Sequence, residues 1–405
     1  MTEDAEVGLT KTNEVVWRTR KEYAVVMLSG AILPLRRALG SPIAVIALLG
    51  RQDLPTNGVR DYCLQLSRAF ARRGEHLDVA EMRWETQGWL RAVGQLWRES
   101  REWKGKWILF QYTSLMWSRR GFPLGALAVL GTLRMRGATV CMVFHDIRND
   151  QAHGWKNRLR VTYQYQVMRR AYTWTARSVL TVPAKNVPWL PRNANRAIFI
   201  PVGSNFTETE PRNQNSGVRS ASVLTVAVFG VTWGSQSCDE SADISYVLRQ
   251  AVSTVVSLRL VVMGRGAAEA EAALKKDLDG SGVALNVLGV LPPEQLVQQL
   301  AMADVLLCVR GHISTRRGSA IAGIACGLPI VGYRGEETAF PITEAGVLLA
   351  DPGDRVGIAE ALKHILCDAK FRDEMRQRSL VAEQKYFSWD AIAEQFLLAL
   401  GNAAA

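Results

Sequence analysis

The amino-acid sequence predicts an α/β protein that consists of two doubly wound parallel-sheet domains facing each other across a cleft. Two observations predict this class: short apolar runs alternate with helical segments, and the alternation stops once in a polar stretch before it restarts. The length of 405 residues agrees with two domains. Ligands of such sheets bind at the carboxyl ends of the strands, so the site is expected in the cleft.

The first domain is predicted to begin with a strand that is buried on both faces. Residues 42–50 form a continuous apolar run closed by glycine, which is typical of the interior of a parallel sheet. A helix follows from Val59, and the basic and glycine residues Arg72-Arg73-Gly74 end it. The remaining predicted elements of this domain are strands at 76–80, 107–111 and 139–144 and a helix at about 122–136.

A polar, turn-rich stretch over 206–222 is predicted to link a first domain (41–205) to a second domain (223–386). Residues 1–40 are taken as an N-terminal extension, and 387–405 as a terminal helix that could cross back to the first domain. The second domain is predicted to contain strands at 223–229, 258–263, 285–288, 304–309, 329–332 and 347–350, and helices at 293–301, 318–326 and 356–367.

Composition excludes several classes of protein. Hydrophobic residues make up 48% and charged residues 21% of the chain, which excludes a disordered chain and a collagen-like repeat. The six cysteines form no CxxC pair, which argues against a zinc ribbon and a thioredoxin-type site and fits a reducing compartment. No apolar run approaches the ~20 residues that span a bilayer. The sequence therefore predicts a cytoplasmic protein.

Basic residues are concentrated in the first half of the chain. Residues 1–200 contain 31 Lys and Arg against 15 Asp and Glu, whereas residues 201–405 contain 18 against 23. The first half is expected to face an anionic partner, and nucleic acid, a phospholipid surface and a diphosphate-bearing substrate all qualify.

Six tryptophans between Trp84 and Trp117 alternate with Arg and Lys. This pattern fits a surface at a membrane interface, aromatic packing in the core, or a platform for an acceptor sugar. It also fits binding of single-stranded nucleic acid. No recognised nucleic-acid module is present, so nucleic acid is the least favoured partner.

The strongest candidate for ligand binding is Arg316-Arg317-Gly318-Ser319, at the start of a predicted helix. A helix N-terminus offers unpaired N–H groups and a partial positive charge, which suit a diphosphate. The two arginines add bidentate phosphate contacts, and Gly318 allows a close approach of the backbone. The alternative is an exposed basic loop with an ordinary serine cap.

Two further candidate sites follow strands of the first domain. His145 and Asp146 come directly after the strand at 139–144, although His145 could simply cap the next turn. Asn57-Gly58 closes the loop after the first strand, where backbone N–H groups can bind a phosphate; an ordinary turn explains the pair equally well. In the second domain, Gly264-Arg265-Gly266 lacks the third glycine of a dinucleotide fingerprint, which argues against a dehydrogenase.

An ordered series of segments over about 42–400 resembles GT-B glycosyltransferases, in particular the retaining family 4 (group 1). The segments that carry the resemblance are Asn57-Gly58-Val59 with Arg72-Arg73-Gly74, Ile200-Pro201-Val202-Gly203, Leu260-Val261-Val262-Met263-Gly264, Ala325-Cys326-Gly327-Leu328-Pro329, Glu344-Ala345-Gly346 and Phe387-Ser388-Trp389. The resemblance implies two Rossmann-like domains, of which the first binds the acceptor and the second binds the nucleotide sugar.

The resemblance also implies the reaction and its site. The enzyme would move a sugar from a nucleotide diphosphate donor to a glycan or lipid-linked acceptor, with retention, in surface polysaccharide or glycoconjugate synthesis. It would work without a metal or other cofactor, in the cytoplasm or peripherally at the anionic inner membrane face. The implied donor contacts are Gly58, Gly230, Arg316, Arg317, Gly318, Ser319 and Glu336 or Glu337, and His145 and Asp146 would position the reacting sugar or the acceptor hydroxyl.

The sequence departs from this family at two places. Ser314 and Ala322 stand where the family has its Glu-x7-Glu pair, and residues 229–235 lack the usual Arg and Lys. A catalytically silent GT-B scaffold that binds a glycan or a partner enzyme is therefore the alternative function.

Overall fold

The structure, a computed structural model, describes residues 43–51, 58–147, 154–204, 223–232, 237–253, 255 and 257–401. The predicted N-terminal extension (1–40) and linker (206–222) lie outside the described residues.

The first domain contains a six-stranded sheet in which every described strand pair is parallel. Its strands are β1 (Ala44–Leu49), β2 (His76–Glu81), β3 (Trp107–Tyr112), β4 (Thr139–Phe144), β5 (Arg177–Leu180) and β6 (Ala197–Phe199). The strand order is β2-β1-β3-β4-β5-β6. Because the order reverses between β1 and β3, the carboxyl ends of these two strands frame a crevice.

The described helices of this domain are α1 (Gly58–Arg72), α2 (Trp84–Gln87), α3 (Trp89–Glu99), α4 (Leu124–Met135) and α5 (Trp155–Trp174), with 3₁₀ turns at Ser100–Trp103 and Ala184–Asn186. Helix α1 buries Cys63, Leu66 and Phe70 in the core, which they reach because they recur at helical spacing. Asp61 in its first turn and Arg72 in its last turn complement the helix dipole.

The second domain repeats the arrangement with another six-stranded parallel sheet. Its strands are β7 (Leu224–Phe229), β8 (Leu258–Met263), β9 (Val283–Gly289), β10 (Val305–His312), β11 (Ile330–Tyr333) and β12 (Val347–Ala350). Its helices are α6 (Ser237–Val252), α7 (Ala267–Leu278), α8 (Pro293–Met302), α9 (Gly318–Ala325), α10 (Arg355–Cys367) and α11 (Ala369–Ala382), with a 3₁₀ turn at Ile342–Glu344. The order β12-β11-β10-β7-β8-β9 reverses between β7 and β10.

The central strands of both sheets are buried on both faces. Every residue of β3 is buried, and β10 is buried from Val305 to Val309. Continuous apolar runs of this kind are required where helices cover both faces of a parallel sheet. A fully buried side chain such as Phe110 stabilises the fold by about 1.5–3 kcal/mol. The predicted fold class, with two doubly wound α/β domains, is confirmed.

The final helix of the described chain packs on the first domain. A π-helical segment, Glu383–Phe387, follows α11 and leads into α12 (Trp389–Gly401). The Trp389 ring meets the ring of Tyr62 edge-on at 5.0 Å, and its Nε1 donates to the Ser204 carbonyl at 2.5 Å. Asp390 accepts from Arg73 at 2.6 Å. Helix α12 therefore belongs structurally to the core of the first domain.

Most of the tryptophans between Trp84 and Trp117 are core residues. Trp84, Trp103, Trp107 and Trp117 are buried, and the Trp117 indole donates to the Gln111 carbonyl at 2.8 Å. Trp97 is 39% exposed. The interpretation of the whole segment as a membrane surface is therefore wrong, because four of these side chains are enclosed by the protein. Within the described residues, no helix has the length and apolarity needed to span a membrane.

Candidate active site

The loop between β10 and α9 of the second domain is hydrogen-bonded to the first domain. The Thr315 hydroxyl donates to the Thr181 carbonyl at 2.8 Å, and the Val202 N–H donates to the Thr315 carbonyl at 3.1 Å. Thr315 is fully buried, so both of its polar groups need these partners. The next residue, Arg316, is thereby fixed at the seam between the domains.

A bulge at the end of β10 brings a further arginine to this seam. Cys308 pairs with Gly332 and His312 with Tyr333, so residues 309–311 are extra on the β10 side. Gly311 has a φ of +59°, a backbone conformation that glycine adopts without strain. The bulge holds Arg310 over the end of β7. Its Nη1 lies 3.7 Å from the position that a Cβ atom would occupy at Gly230.

Arg316 forms a bidentate ion pair with Glu337. Both nitrogen–oxygen distances are 2.8 Å, and the Glu337 side chain is 2% exposed. His312 Nε2 lies 3.7 Å from the same carboxylate. Burial alone would raise the pKa of Glu337, but hydrogen bonds and charge from His312 and Arg316 bring it to about 2. Glu337 is therefore a charged, enclosed partner of Arg316, whereas Glu336 is exposed in the same loop.

Arg317 occupies the N-terminal end of α9 and packs against the bulge. Its Nη2 donates to the Arg310 carbonyl. Burial lowers the pKa of Arg317; Cys308 and Glu240 oppose this shift, and the positive charges of Arg310 and Arg316 add to it. The guanidinium groups of Arg310, Arg316 and Arg317 thus converge, and this cluster favours the binding of a multiply charged anion.

The first turn of α9 faces the same region. Arg317 is its N-cap residue in an extended conformation, and no described side chain caps the helix. Gly318 is exposed and Ser319 is partly exposed. The first N–H groups of a helix have no partner within the helix, so this end adds donors and a partial positive charge to the arginine cluster.

Gly230 and Glu240 line the second-domain side of the cleft. Gly230 has a φ of +82°, and its N–H is already used in a hydrogen bond to the Met263 carbonyl at 2.8 Å. It therefore offers space beside Arg310 but no backbone donor. Glu240 accepts from the Thr232 N–H at 2.6 Å and contacts its hydroxyl, which fixes the backbone two residues after Gly230.

His145 lies at the carboxyl end of β4, in a buried aromatic environment. Its Nε2 is 2.8 Å from the Gln111 amide oxygen, so Nε2 bears the proton when that oxygen is the acceptor. The ring meets Tyr62 of α1 edge-on at 5.0 Å. Burial lowers the pKa of His145 to about 4, so the imidazole is neutral at pH 7. Gly58 begins the same helix and is exposed, whereas Asn57 lies outside the described residues.

Asp146 connects the first domain electrostatically to the arginine cluster. Its Oδ2 accepts from the Ser114 N–H at 2.9 Å. Burial raises the pKa of Asp146, while the Ser114 N–H and the charge of Arg316 oppose that rise. A pocket of about 240 Å³ lies beside this carboxylate. It is lined by Ser114, Leu115, Gly121, Asp146, Arg160, Gln164 and Met168.

The structure thus brings most of the predicted site residues together and adds others. Arg316, Arg317 and the start of α9 lie on the second domain, and Arg316 acts electrostatically on Asp146 of the first. Arg310 and Arg160 were not predicted from the sequence. Within the part of the chain that the structure describes, no group of three or more His, Cys, Asp or Glu side chains could hold a metal ion.

Comparison with known proteins matches part of the chain to a family. Residues 234–368 match the family model described as Glycosyl transferases group 1. No curated protein matches the chain in sequence.

Solved structures share the fold along nearly the whole chain. Anabaena Alr3699/HepE, crystallised with UDP and glucose, has a TM-score of 0.59 at 13% identity, covering 89% of this chain and 100% of that one. Sucrose-phosphate synthase from Thermosynechococcus elongatus has a TM-score of 0.59 at 18% identity, with 89% and 100% covered. A glycosyltransferase from Rickettsia africae has a TM-score of 0.66 at 8% identity, with 90% and 99% covered. Residues 234–368 therefore match the group 1 glycosyl transferases, and the chain has the GT-B fold of these solved structures.

Proposed function

We propose that the protein transfers one sugar from a nucleotide diphosphate donor to a glycan or lipid-linked acceptor, with retention of configuration, in the synthesis of surface polysaccharide or glycoconjugate. The convergence of Arg310, Arg316 and Arg317 on the N-terminal end of α9 is the observation on which this proposal depends. The cluster lies where the strand order of the second sheet reverses, the place where ligands of such sheets bind.

In this proposal the diphosphate lies between the arginine cluster and the first turn of α9. Arg317 and Arg310 neutralise its charge, and Gly318 and Ser319 donate from the helix backbone. Gly230 leaves room for the phosphate beside Arg310. Gly58, at the start of α1, is proposed to approach the donor from the first domain. Anabaena HepE, which shares the fold, was crystallised with UDP and glucose, and this supports a nucleotide sugar as donor. No metal is proposed, since arginine and the helix dipole supply positive charge.

The transfer step follows from this arrangement. The bond between the anomeric carbon and the diphosphate oxygen breaks, and the electron pair stays on the diphosphate. The acceptor oxygen then bonds to the anomeric carbon on the same face and gives its proton to the departing diphosphate. Neutral His145 has Nδ1 left to accept from a sugar hydroxyl, since Nε2 faces Gln111. Asp146, held by the Ser114 N–H, orients the acceptor hydroxyl.

Glu337 positions Arg316 in this mechanism, and it does not bind the donor sugar directly. Its carboxylate is enclosed and engaged by two hydrogen bonds from Arg316. Glu336, which is exposed in the same loop, is the better candidate for a contact with the donor sugar.

A catalytically silent GT-B scaffold is the second candidate function. Ser314 is 4% and Ala322 is 2% exposed, so the positions of the family's missing carboxylates are enclosed by protein and offer nothing to a sugar. Such a scaffold would bind a glycan or a partner enzyme without turnover.

We also propose that the enzyme works in the cytoplasm, peripherally at the anionic inner membrane face. The basic first half of the chain supports this location, since each Lys or Arg near an anionic surface contributes about 1 kcal/mol. Trp155, which is 68% exposed, and the neighbouring Lys156 lie together at the start of α5.

A thermal-shift titration with UDP-, GDP- and ADP-sugars tests the proposed donor. Binding to the folded state raises the unfolding temperature, and the shift grows with the logarithm of ligand concentration above the dissociation constant. The shift should disappear in the double variant Arg316→Ala/Arg317→Ala. It should remain in Lys275→Ala/Lys276→Ala, which removes the same charge from the far end of α7. A donor shift without product formation from any acceptor would favour the scaffold.

A further inference from the structure

The pocket beside Asp146 belongs to the first domain and is not used by the proposed donor site. Its volume of about 240 Å³ lies below the ~300–1,000 Å³ of pockets that enclose drug-sized ligands, so it suits a single monosaccharide-sized group. Asp146 lies at one side, and Leu115, which is 59% exposed, gives it an apolar edge.

Arg160 is the unusual member of this pocket. Its Nε atom is buried and has no hydrogen-bond partner among the described residues. A buried donor of a charged group without a partner is destabilising, so such groups in native proteins usually face a ligand, a water or an ion. Asp146 lines the same pocket, but no hydrogen bond joins its carboxylate to Arg160 Nε.

The local backbone keeps Arg160 in place. Gly121 has a φ of +76°, and a Cβ atom there would lie 3.1 Å from Arg160 Cδ and 3.0 Å from Gln164 Nε2. Gln164 in turn donates to the Gly121 carbonyl at 2.8 Å. The absence of a side chain at Gly121 therefore lets both residues of α5 pack against the loop, and both line the pocket.

We propose that this pocket is the acceptor subsite and that it selects an acceptor sugar bearing an oxyanion, either a phosphate or a carboxylate, which Arg160 binds. This inference rests on the proposed function. The oxyanion would pair with the guanidinium, the sugar ring would lie against Leu115, and the attacking hydroxyl would face Asp146. Beside Asp146, the attacking hydroxyl would face the seam between the domains, where Arg316 lies.

Binding of small sugars tests this inference without turnover. The probes are glucose, glucose 6-phosphate and glucuronic acid, followed by a short-chain isoprenyl diphosphate sugar in detergent micelles. The wild type should bind the anionic probes at least about tenfold more tightly than glucose, which corresponds to about 1.4 kcal/mol. The carboxylate, monoester and lipid-diphosphate probes separate the possible sources of the oxyanion.

Three variants of α5 sharpen the test. Arg160→Gln should abolish the preference for anionic probes, and Arg160→Lys should retain part of it. Arg158→Gln, at an exposed position on the same helix, should behave as the wild type. All of them should keep the thermal shift with the nucleotide sugar.

The two proposals fail in different ways. A wild type without any nucleotide-sugar shift overturns the proposed function and, with it, the assignment of the pocket to an acceptor. A wild type that shifts with nucleotide sugar but binds glucose and glucose 6-phosphate equally overturns this inference alone, as does an anion preference that survives in Arg160→Gln.

Discussion

Arg316 and Glu337 face each other through two parallel hydrogen bonds of 2.8 Å, and the carboxylate is almost completely enclosed. The same arginine acts electrostatically on Asp146 of the other domain. The ion pair therefore fixes the orientation of the Arg316 guanidinium at the seam between the domains. This relationship explains why a carboxylate in the loop after β11 is buried.

Replacing Glu337 by Gln should leave Arg316 without its anchor. We expect a loss of about 1–3 kcal/mol in the free energy of unfolding and a weaker shift with nucleotide sugar. Chemical denaturation and thermal-shift titration measure the two effects. Glu336→Gln, at an exposed position of the same loop, is the control for folding stability. An unchanged unfolding free energy in Glu337→Gln would contradict the role given to the ion pair.

The stability contributed by Glu337 should depend on pH. Its folded pKa of about 2 lies below the ordinary value of 4.5. The unfolded state therefore takes up the proton first as the pH falls, so this contribution is complete above pH 4.5 and is lost between there and about pH 2. Denaturation curves of the wild type and Glu337→Gln should converge over that window. Curves that stay parallel would show that the carboxylate does not titrate as described.

His145 should titrate at about pH 4 and not near its ordinary value of 6.5, because burial disfavours the imidazolium. The unfolded chain binds this proton at higher pH than the folded protein does. Folding stability should therefore decrease as the pH falls from 6.5 towards 4. NMR titration of the His145 imidazole carbon resonances, assigned by their loss in His145→Gln, gives the pKa directly. A midpoint near 6.5 would exclude the buried neutral ring.

Arg310 should prove to be a donor-binding residue. It is held over Gly230 by the bulge in β10, so Arg310→Ala should weaken nucleotide-sugar binding about tenfold or more, the loss expected for one charge-assisted hydrogen bond. Isothermal titration with the donor found in the thermal-shift screen measures this. Lys275→Ala controls for the loss of one positive charge. Equal affinities of Arg310→Ala and Lys275→Ala for the nucleotide sugar would show that Arg310 does not bind the donor.

Trp389 should stabilise the first domain although it lies in the last described helix. Trp389→Ala removes a fully buried ring from the contact with Tyr62 and should lower the free energy of unfolding by about 3–5 kcal/mol. Trp155→Ala, at a largely exposed position, should cost far less. Denaturant unfolding, followed by circular dichroism, compares the two variants. Similar midpoints would mean that α12 is not part of the core.

The repeating elements of the fold were accessible to sequence analysis because burial on both faces leaves continuous apolar runs. The predicted strand at 258–263 coincides with β8, and the one at 139–144 coincides with β4. Helices α2, α3, α5, α6, α7 and α11 and strands β5 and β6 were not predicted. Helix α5 buries Gln164, Val167, Met168, Ala171 and Tyr172 at helical spacing, but aromatic residues also lie outside this stripe, which weakens the contrast on which sequence prediction depends.

The candidate site was only partly predictable, because its main features are long-range. Arg316 and Arg317 stood out through their position before a helix. Arg310 did not, since its placement depends on a register shift between β10 and β11 that no local pattern encodes. The enclosure of Glu337 by Arg316, and the buried Nε of Arg160, likewise depend on residues brought together from separate parts of the chain.

The return of α12 to the first domain also has a consequence for biosynthesis. The core around β1 and α1 contains Trp389, Phe396 and Leu400, which a ribosome delivers more than three hundred residues after Tyr62. During translation, the core of the first domain lacks α12 until all strands of the second domain have been synthesised. The half of the molecule that is synthesised first is thus the half that is completed last.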